Sequence, residues 1–302
     1  MIKFLRNLAI LAIIILAIDR IAGAVFSQWL TNVTTGVLGN DNYICYHCED
    51  DLLIFGSSRA KFHYNADLMS DSLGMSAYNC GASGQGIILS YGRLQMMKQR
   101  YQPKIIIYEV TPEFDLLKDD NHKYLSFLRT HYDQPGIPEI FDEVDTSERI
   151  KMKSYLYRYN SNILHNPLRL LKPAPQNRNA NGHSGFLPKT EPFDKMKLKE
   201  DREDVEGRET DPIKIHFLKL FIESASPAKV IFVASPIWYG RNPIELSASK
   251  KLCAELGIPF FDYSNSPKYI HQDKYFSDGS HLNQSGADEF TRDIIRQIKQ
   301  YL

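Results

Sequence analysis

Three short segments of the 302-residue chain contain residue types that could carry out nucleophilic chemistry. Residues 56–59 read Gly-Ser-Ser-Arg after an apolar run, which presents a serine at a strand-to-helix turn, where a helix N-terminus favours negative charge. Residues 81–86 contain three glycines, whose N–H groups can closely approach a developing oxyanion. Asp278 and His281 form a D-x-x-H pair, in which a carboxylate can orient an imidazole as a general base.

Each segment alone also has a purely structural interpretation. Serine and glycine are common turn residues, closely spaced glycines satisfy loop dihedrals, and D-x-x-H is often a helix-capping turn. The order serine, glycine loop and C-terminal D-x-x-H is much more specific than any one of them.

In this order the segments resemble the sequence blocks of the SGNH, or GDSL-type, serine hydrolase superfamily. The first block, normally Gly-Asp-Ser, aligns with residues 56–58 and implies that Ser58 is the nucleophile. The glycine of the second block matches Gly84, and the D-x-x-H block matches Asp278 and His281. The resemblance implies a flavodoxin-like three-layer α/β/α sandwich with about five parallel strands.

The chemistry that the resemblance implies is acyl transfer through a Ser-His-Asp triad. His281, oriented by Asp278, takes the proton of Ser58, which attacks an ester carbonyl. The backbone N–H groups of Ser58 and Gly84 form the oxyanion hole. Such a mechanism requires no metal and no organic cofactor.

Two positions depart from the family pattern. Ser57 replaces the usual aspartate, and this Ser-Ser form is similar to membrane-anchored members that handle acyl groups on envelope polymers, such as the D-alanyl transfer protein family. The third block should contain an asparagine as oxyanion donor, but residues 111–115 read Thr-Pro-Glu-Phe-Asp, and an ionised Glu113 would repel an oxyanion. The candidate replacement donors are Thr111, Arg59, Asn160 and Asn162.

Alternating strand and helix patterns predict the sheet that positions these segments. The predicted strands are 52–55, 77–80, 105–108, 229–234 and 258–261. The predicted helices lie around 87–94, 213–223 and 247–256 and from about 284 to the C-terminus. Such units imply a parallel sheet with helices on both faces and a ligand site at the carboxyl ends of the strands, where all three segments fall. The resemblance covers about residues 50–110 and 229–302.

A long insertion at about 113–212 interrupts the pattern within a predicted domain of residues 45–302. Helical pieces are predicted over 151–170, whereas 172–212 is poor in aliphatic residues and rich in polar ones. We expect an excursion over the active face, a lid or a partly disordered loop. The mixed charges of 195–209 are more typical of a solvated surface than of a binding patch.

Other side chains invite weaker interpretations. Trp238 and Tyr239 follow the fourth predicted strand and either stack on a sugar ring or pack inward. Cys45 and Cys48 form a C-x-x-C without a second metal-ligating pair, which favours a local disulfide or two unreactive thiols over a redox or zinc site. The histidines interpreted as surface or structural residues are His63, His122 and His131.

The N-terminus carries a candidate membrane segment. Lys3 and Arg6 precede the apolar run 8–18, and residues 4–26 together are long enough to span a bilayer. The preceding basic residues predict a cytoplasmic N-terminus and an exported domain. A retained anchor spanning residues 1–30 is favoured.

Two alternatives to the retained anchor stay open. Residues 22–24 read Ala-Gly-Ala, an A-x-A cleavage site whose use would make the protein secreted. Against cleavage, Asp19 and Arg20 place charges just before that site, and an apolar character continues after it. A buried helix of a cytoplasmic protein is less favoured because the run is apolar on all faces.

The composition excludes several classes of protein. Lys and Arg number 36, as do Asp and Glu, and 43% of residues are hydrophobic. These values exclude a wholly disordered, collagenous or coiled-coil chain, and zero net charge argues against nucleic-acid binding. Four cysteines are too few for a disulfide scaffold.

Two functions from different classes follow. The first is an extracytoplasmic, membrane-anchored serine esterase or O-acyltransferase acting on acyl esters, chiefly acetyl esters, of cell-envelope carbohydrate, with a membrane-bound acyltransferase as a candidate partner. The second is a non-hydrolytic envelope polysaccharide assembly or binding protein that keeps the fold. The asparagine missing from the third block motivates the second.

Overall fold

The computed structural model describes residues 1–34, 36–163, 184–195, 198 and 208–301. The strands in these ranges are β1 (Leu52–Gly56), β2 (Ala77–Asn79), β3 (Ile105–Glu109), β4 (Lys229–Ala234) and β5 (Phe260–Asp262). The helices are α1 (Ile2–Thr31), α2 (Gly36–Tyr46), α3 (Ser58–His63), α4 (Ala66–Leu73), α5 (Ile87–Met97), α6 (Pro112–Asp115), α7 (Ile137–Val144), α8 (Glu148–Lys151), α9 (Tyr155–Ile163), α10 (Pro212–Ala225), α11 (Ser247–Leu256) and α12 (Gln284–Ile298). Short 3-10 helices cover Asn121–Leu125, Arg129–His131, Pro243–Leu246 and Asp273–Tyr275.

The five strands form one parallel sheet in the order β2-β1-β3-β4-β5. This is the order of flavodoxin-like doubly wound sheets, in which the ligand crevice lies at the carboxyl ends of the two strands where the winding reverses. Those strands are β1 and β3, which pair in register from Leu52 with Ile105 to Gly56 with Glu109. The predicted parallel α/β sheet is confirmed.

The two faces of the sheet have separate apolar cores, which makes a three-layer arrangement. Alternate residues of a strand point to opposite faces, so Leu53 and Phe55 pack with α5 and α10, whereas Leu52 and Ile54 pack with α4 and α12. Helix α12 presents Phe290 to the second core, as its predicted helical periodicity requires. Burial on both faces explains why the strands are apolar runs rather than alternating patterns.

The first part of the insertion belongs to the folded core. Residues 113–163 include several helices that bury Leu125, Leu128, Phe141 and Met152 in the same core as α5, so this part is packed into the domain. Its apolar residues are concentrated on the faces that pack inward, as in α7, where Ile137, Ile140 and Phe141 are buried. The predicted helical residues 164–170, like most of the charged run 195–209, lie outside the described residues.

A second part of the insertion, residues 184–195, returns to the domain as an extended segment. The Asn79 N–H bonds the Ser184 carbonyl at 2.7 Å, the Leu187 N–H bonds the Lys61 carbonyl at 3.2 Å, and the Gln284 N–H bonds the Lys189 carbonyl at 2.9 Å. The segment therefore runs from the edge strand β2 past α3 to the start of α12. This course takes it to the carboxyl edge of the sheet.

The N-terminal helix α1 is long and apolar enough to cross a membrane, with a mean hydropathy of 2.4 over its most apolar window. It is therefore a candidate membrane anchor or signal sequence. Helix α2 follows and belongs to the domain core, because Asp41, Ile44 and Cys45 are buried there. The packed domain thus includes residues ahead of position 45.

Candidate active site

Ser58 is the first residue of α3, immediately beyond β1. Gly56 makes this turn sterically feasible, since its φ is +138° and an added Cβ would lie 2.6 Å from the Glu109 carbonyl oxygen. Ser57 is the N-cap, and its side chain accepts the Arg59 N–H. The turn therefore buries Ser57 and leaves Ser58 partly exposed at the carboxyl edge of the sheet.

His281 lies within hydrogen-bond distance of Ser58. The distance from His281 Nε2 to Ser58 Oγ is 2.8 Å, and Asp278 Oδ1 is 2.8 Å from His281 Nδ1. Since Asp278 can only accept while ionised, Nδ1 carries the ring proton and Nε2 accepts from the serine hydroxyl. The three predicted triad residues are thus joined in the order serine, histidine, aspartate, across 223 residues of sequence.

Backbone N–H groups of the D-x-x-H turn also hold the Asp278 carboxylate in position beside His281. Asp278 Oδ1 also accepts the N–H groups of Ser280 and His281, at 3.0 and 2.7 Å. The ring of Phe62 meets the His281 ring edge-on, with centroids 5.3 Å apart. The imidazole is therefore fixed in orientation while its side chain keeps 21% of its surface exposed.

Lys189, from the extended part of the insertion, binds the same aspartate. Its Nζ is 2.5 Å from Asp278 Oδ2 and 5.4 Å from the centre of the Phe62 ring. Burial opposes ionisation of Asp278, but the bond to His281 and the Lys189 ammonium outweigh it and hold the pKa of this carboxyl well below its usual value. No motif in the sequence pointed to Lys189.

The glycine loop lies beside the serine turn. The Cys80 N–H bonds the Ile54 carbonyl at 2.7 Å and the Ala82 N–H bonds the Gly56 carbonyl at 3.0 Å, so the loop continues the edge of β1. Gly84 is exposed at the loop tip with φ +70°, where other residues are disfavoured. The loop that carries the second predicted oxyanion donor therefore flanks the serine turn.

The predicted replacement donors have other partners where the structure describes them. The Thr111 hydroxyl is 2.6 Å from the Ser57 hydroxyl, and the Arg59 guanidinium is 3.2 Å from Glu113. The side chains of Asn160 and Asn162 lie outside the described residues. Thr111 and Arg59 thus lie at the edge that carries Ser58, and their side chains are bonded to neighbouring residues.

Glu113 is ionised and neutralised within a buried charge cluster. Burial would raise its pKa, but Arg241 and Arg59 outweigh burial and lower the pKa to about 2. Arg241 Nη1 lies 2.9 Å from Glu113 and 2.6 Å from Glu245. Two guanidinium groups therefore balance two carboxylates, which removes the expected repulsion of an oxyanion by an isolated Glu113.

The loop after β4 packs against the D-x-x-H turn. The Trp238 N–H bonds the Gly279 carbonyl at 2.9 Å, and its indole N–H bonds Asp273 at 2.9 Å. The Trp238 ring stacks on Phe193 at 5.5 Å and meets His271 edge-on at 4.7 Å. Trp238 therefore packs within the protein; Tyr239 is half-buried and hydrogen-bonded to Ser280.

A second serine–histidine–carboxylate set, which the sequence did not reveal, lies beneath the first. His63 Nε2 accepts the Leu282 N–H at 3.0 Å, so Nδ1 is protonated and donates to Ser235 Oγ at 2.8 Å. The Ser235 hydroxyl donates to Glu109 at 2.7 Å. Burial lowers the pKa of His63 well below its usual value and raises that of Glu109. The structural interpretation of His63 therefore applies, and it is fully buried.

The four cysteines, His122 and His131 have structural environments. All four cysteines are buried free thiols, so Cys45 and Cys48 are not joined, and burial raises the pKa of Cys45 well above its usual value. By distance, Asp41, Cys45 and His131 could surround a metal ion, but Arg93 already pairs with Asp41 at 2.7 Å. A second such group, His122, Asp145 and Glu148, includes the Glu148 that pairs with Lys151 at 2.6 Å.

Comparisons with known proteins add little. No protein-family model matches the chain, and no curated protein matches it. The solved structures that are similar to the chain include a crystal structure with a TM-score of 0.40 and 10% sequence identity, over 83% of this chain and 97% of that one. A similarity of that size carries no argument, so the function is argued from the site itself.

Proposed function

We propose that this protein is a serine hydrolase of the SGNH type, and within that class an esterase or O-acyltransferase. The observation that carries the proposal is the continuous bonded order Ser58, His281, Asp278 at the carboxyl edge of the sheet. The strand order and the glycine loop beside β1 support the fold. Catalytic triads are recognised by the arrangement and roles of their residues, and this bonded order therefore supports the proposal more strongly than the sequence blocks alone.

In the proposed reaction, Ser58 Oγ attacks the carbonyl carbon of an ester while His281 Nε2 takes the hydroxyl proton. The Asp278 carboxylate stabilises the imidazolium that forms. Collapse of the tetrahedral intermediate breaks the bond to the leaving oxygen, which receives the proton from His281 and departs as an alcohol. The acyl group stays on Ser58 until water or a sugar hydroxyl attacks it, again with His281 as base.

The oxyanion is stabilised by backbone donors in this proposal. The Ser58 N–H lies at the start of α3 and the Gly84 N–H in the adjoining loop. Backbone N–H groups are fixed by the fold, so they need no reorganisation as charge develops. The neutralised Glu113 removes the main electrostatic obstacle at this edge.

The proposed substrate is an acyl ester, chiefly acetyl, of a cell-envelope carbohydrate. The proposed location is the outer side of a membrane, because Lys3 and Arg6 precede the apolar part of α1 and basic flanks remain on the cytoplasmic side. Both expectations rest on the resemblance and the N-terminal pattern. A membrane-bound acyltransferase is the proposed partner that would supply or receive acyl groups.

Ester hydrolysis by the full-length chain in detergent tests the proposal. We expect release of p-nitrophenol from p-nitrophenyl acetate, and loss of this release in Ser58→Ala at an unchanged melting temperature. Equal rates in Ser58→Ala and the parent protein would overturn the assignment. Offering a sugar alcohol as acceptor distinguishes transfer from hydrolysis, because transfer yields the acetylated sugar.

The rival function, a non-hydrolytic envelope polysaccharide binding protein, is favoured by one observation. The third block lacks the asparagine donor, and the two described replacement candidates, Thr111 and Arg59, are bonded to other side chains. This rival predicts polysaccharide binding that is unchanged in Ser58→Ala, together with no ester cleavage by the folded parent protein.

A further inference from the structure

Helix α1 is joined to the domain through a carboxylate. Asp19 accepts the Ser154 hydroxyl at 2.7 Å and the N–H groups of Tyr155 and Leu156 at 3.1 and 3.0 Å. Tyr155 and Leu156 begin α9, so Asp19 caps the N-terminus of a helix 135 residues further along the chain. Only 6% of Asp19 is exposed.

The contact continues along the next two turns of α1. A Cβ added to Gly23 would lie 2.4 Å from the Tyr155 ring, so only glycine allows this approach. The Arg20 guanidinium lies 5.0 Å from the centre of the same ring, and Phe26 meets Tyr159 edge-on at 6.2 Å. Residues 19–26 of α1 therefore form a specific interface with α9.

The part of α1 before Asp19 is different, since its apolar side chains are exposed on all faces. Residues 2–18 at about 1.5 Å per residue extend about 25 Å, a little less than the roughly 30 Å hydrocarbon core of a bilayer, and Lys3 and Arg6 lie in the first two turns, from which their long side chains reach the headgroups. A bilayer that covers these side chains therefore reaches the level of Asp19. There the helix N-terminus satisfies the carboxylate, which would otherwise be costly to place beside lipid.

We propose that α1 stays on the mature chain as a membrane helix and that Asp19 clamps it to α9, so that the start of α9 rests on the bilayer. Leu156 is the residue at which contact with the bilayer can be measured, because its backbone N–H binds Asp19 and 39% of its surface is exposed. Cleavage after Ala24 would remove the cap and most of the interface. The clamp is independent of the reaction at Ser58.

The first test is the intact mass of the protein purified from membranes of its expression host. Retention predicts a mass that includes residues 1–24. A mature chain that begins at Val25 would overturn the proposal directly.

The second test measures lipid contact at Leu156 in phosphatidylcholine nanodiscs. An environment-sensitive dye on Leu156→Cys should be quenched at least about twofold more by shallow spin-labelled lipid than the same dye on Leu256→Cys, whose parent residue is similarly exposed at 36%. Asp19→Ala should lower that quenching, and Asp19→Asn, which keeps an acceptor oxygen, should lower it less. Equal quenching at both positions, or no loss of quenching in an Asp19→Ala variant whose melting temperature is unchanged, would contradict the clamp.

Discussion

Among the residues that the structure describes, two serine–histidine–carboxylate sets lie close together at the carboxyl edge of one sheet, and they differ in the order of their hydrogen bonds. In the first, His281 lies between Ser58 and Asp278, and its Nε2 faces the serine hydroxyl. In the second, Ser235 lies between His63 and Glu109. The ring centroids of the two histidines are 6.1 Å apart.

The direction of the hydrogen bonds determines whether the histidine of each set can act as a base toward its serine. Ser235 accepts a hydrogen bond from His63 Nδ1 and donates its own to Glu109, while His63 Nε2 accepts the Leu282 N–H, so His63 cannot take a proton from the Ser235 hydroxyl. Ser235 and His63 are also fully buried. The set of His63, Ser235 and Glu109 holds Leu282, the residue that follows His281, whereas the set of Ser58, His281 and Asp278 has the order that the proposed reaction requires.

The largest predicted difference is between the two serines. Ser58→Ala should lower kcat by at least about a thousandfold, because the nucleophile is lost. Ser235→Ala should keep activity within about tenfold and lower the free energy of unfolding by about 1–3 kcal/mol, since buried partners lose a bond. Steady-state kinetics and chemical denaturation measure both, and a reversed pattern would exchange the roles of the two sets.

The second largest predicted difference is between the two carboxylates, Asp278 and Glu109, in their effect on kcat. Asp278→Asn should lower kcat by up to about ten-thousandfold, because the amide favours the wrong imidazole tautomer. Glu109→Gln keeps the shape of its side chain and should change kcat by less than about tenfold. Comparable losses in the two variants would show that Glu109 acts on the reaction.

The stability of the protein should depend on pH through His63. Burial holds the pKa of His63 well below 6.5, so the folded state keeps it neutral while the unfolded state takes up a proton as pH falls below about 6.5. Its contribution to stability is therefore lost on acidification, at up to about 1.4 kcal/mol per pH unit. Urea denaturation should show that the free energy of unfolding falls less between pH 7.5 and pH 5.5 in His63→Gln than in the parent protein. An identical fall in both proteins would mean that other groups cause the pH dependence.

The smallest predicted effect concerns Lys189, which competes with His281 for the Asp278 charge. Lys189→Met should move the acidic limb of the pH–activity profile upward by about half a pH unit, since a partly exposed pair is worth only about 1 kcal/mol. Other nearby groups, Arg59 and His63, are unchanged in this variant. Lys189→Arg should restore the parent profile, and a parent-like profile in Lys189→Met would exclude the competition.

The sheet was predicted well from the sequence, because strands that are buried on both faces are continuous apolar runs that are easily recognised. Strand β4 and helix α11 have their predicted bounds, and Gly257 follows α11 in a left-handed conformation. Strand β5 begins at Phe260 rather than at 258. Shorter strands depend more on their neighbours than on their own residues.

Contacts between distant residues were harder to predict. The bond of His63 to Ser235 joins residues 172 positions apart, and Lys189 reaches Asp278 from an insertion that has no recognisable motif. The apolar residues of 113–163 are spread over several short helices, so the sequence did not show that they join the core that contains α5. Hydrophobic periodicity shows which face of a helix or strand is buried, but it does not show which other elements that face packs against.

The central claim, that Ser58 is an activated nucleophile, is tested most directly with a fluorophosphonate probe and peptide mass spectrometry. A covalent phosphonate should form on Ser58 in the full-length folded protein and be strongly reduced in His281→Gln. Absence of labelling in the folded protein, or a phosphonate on Ser235 instead, would contradict the account.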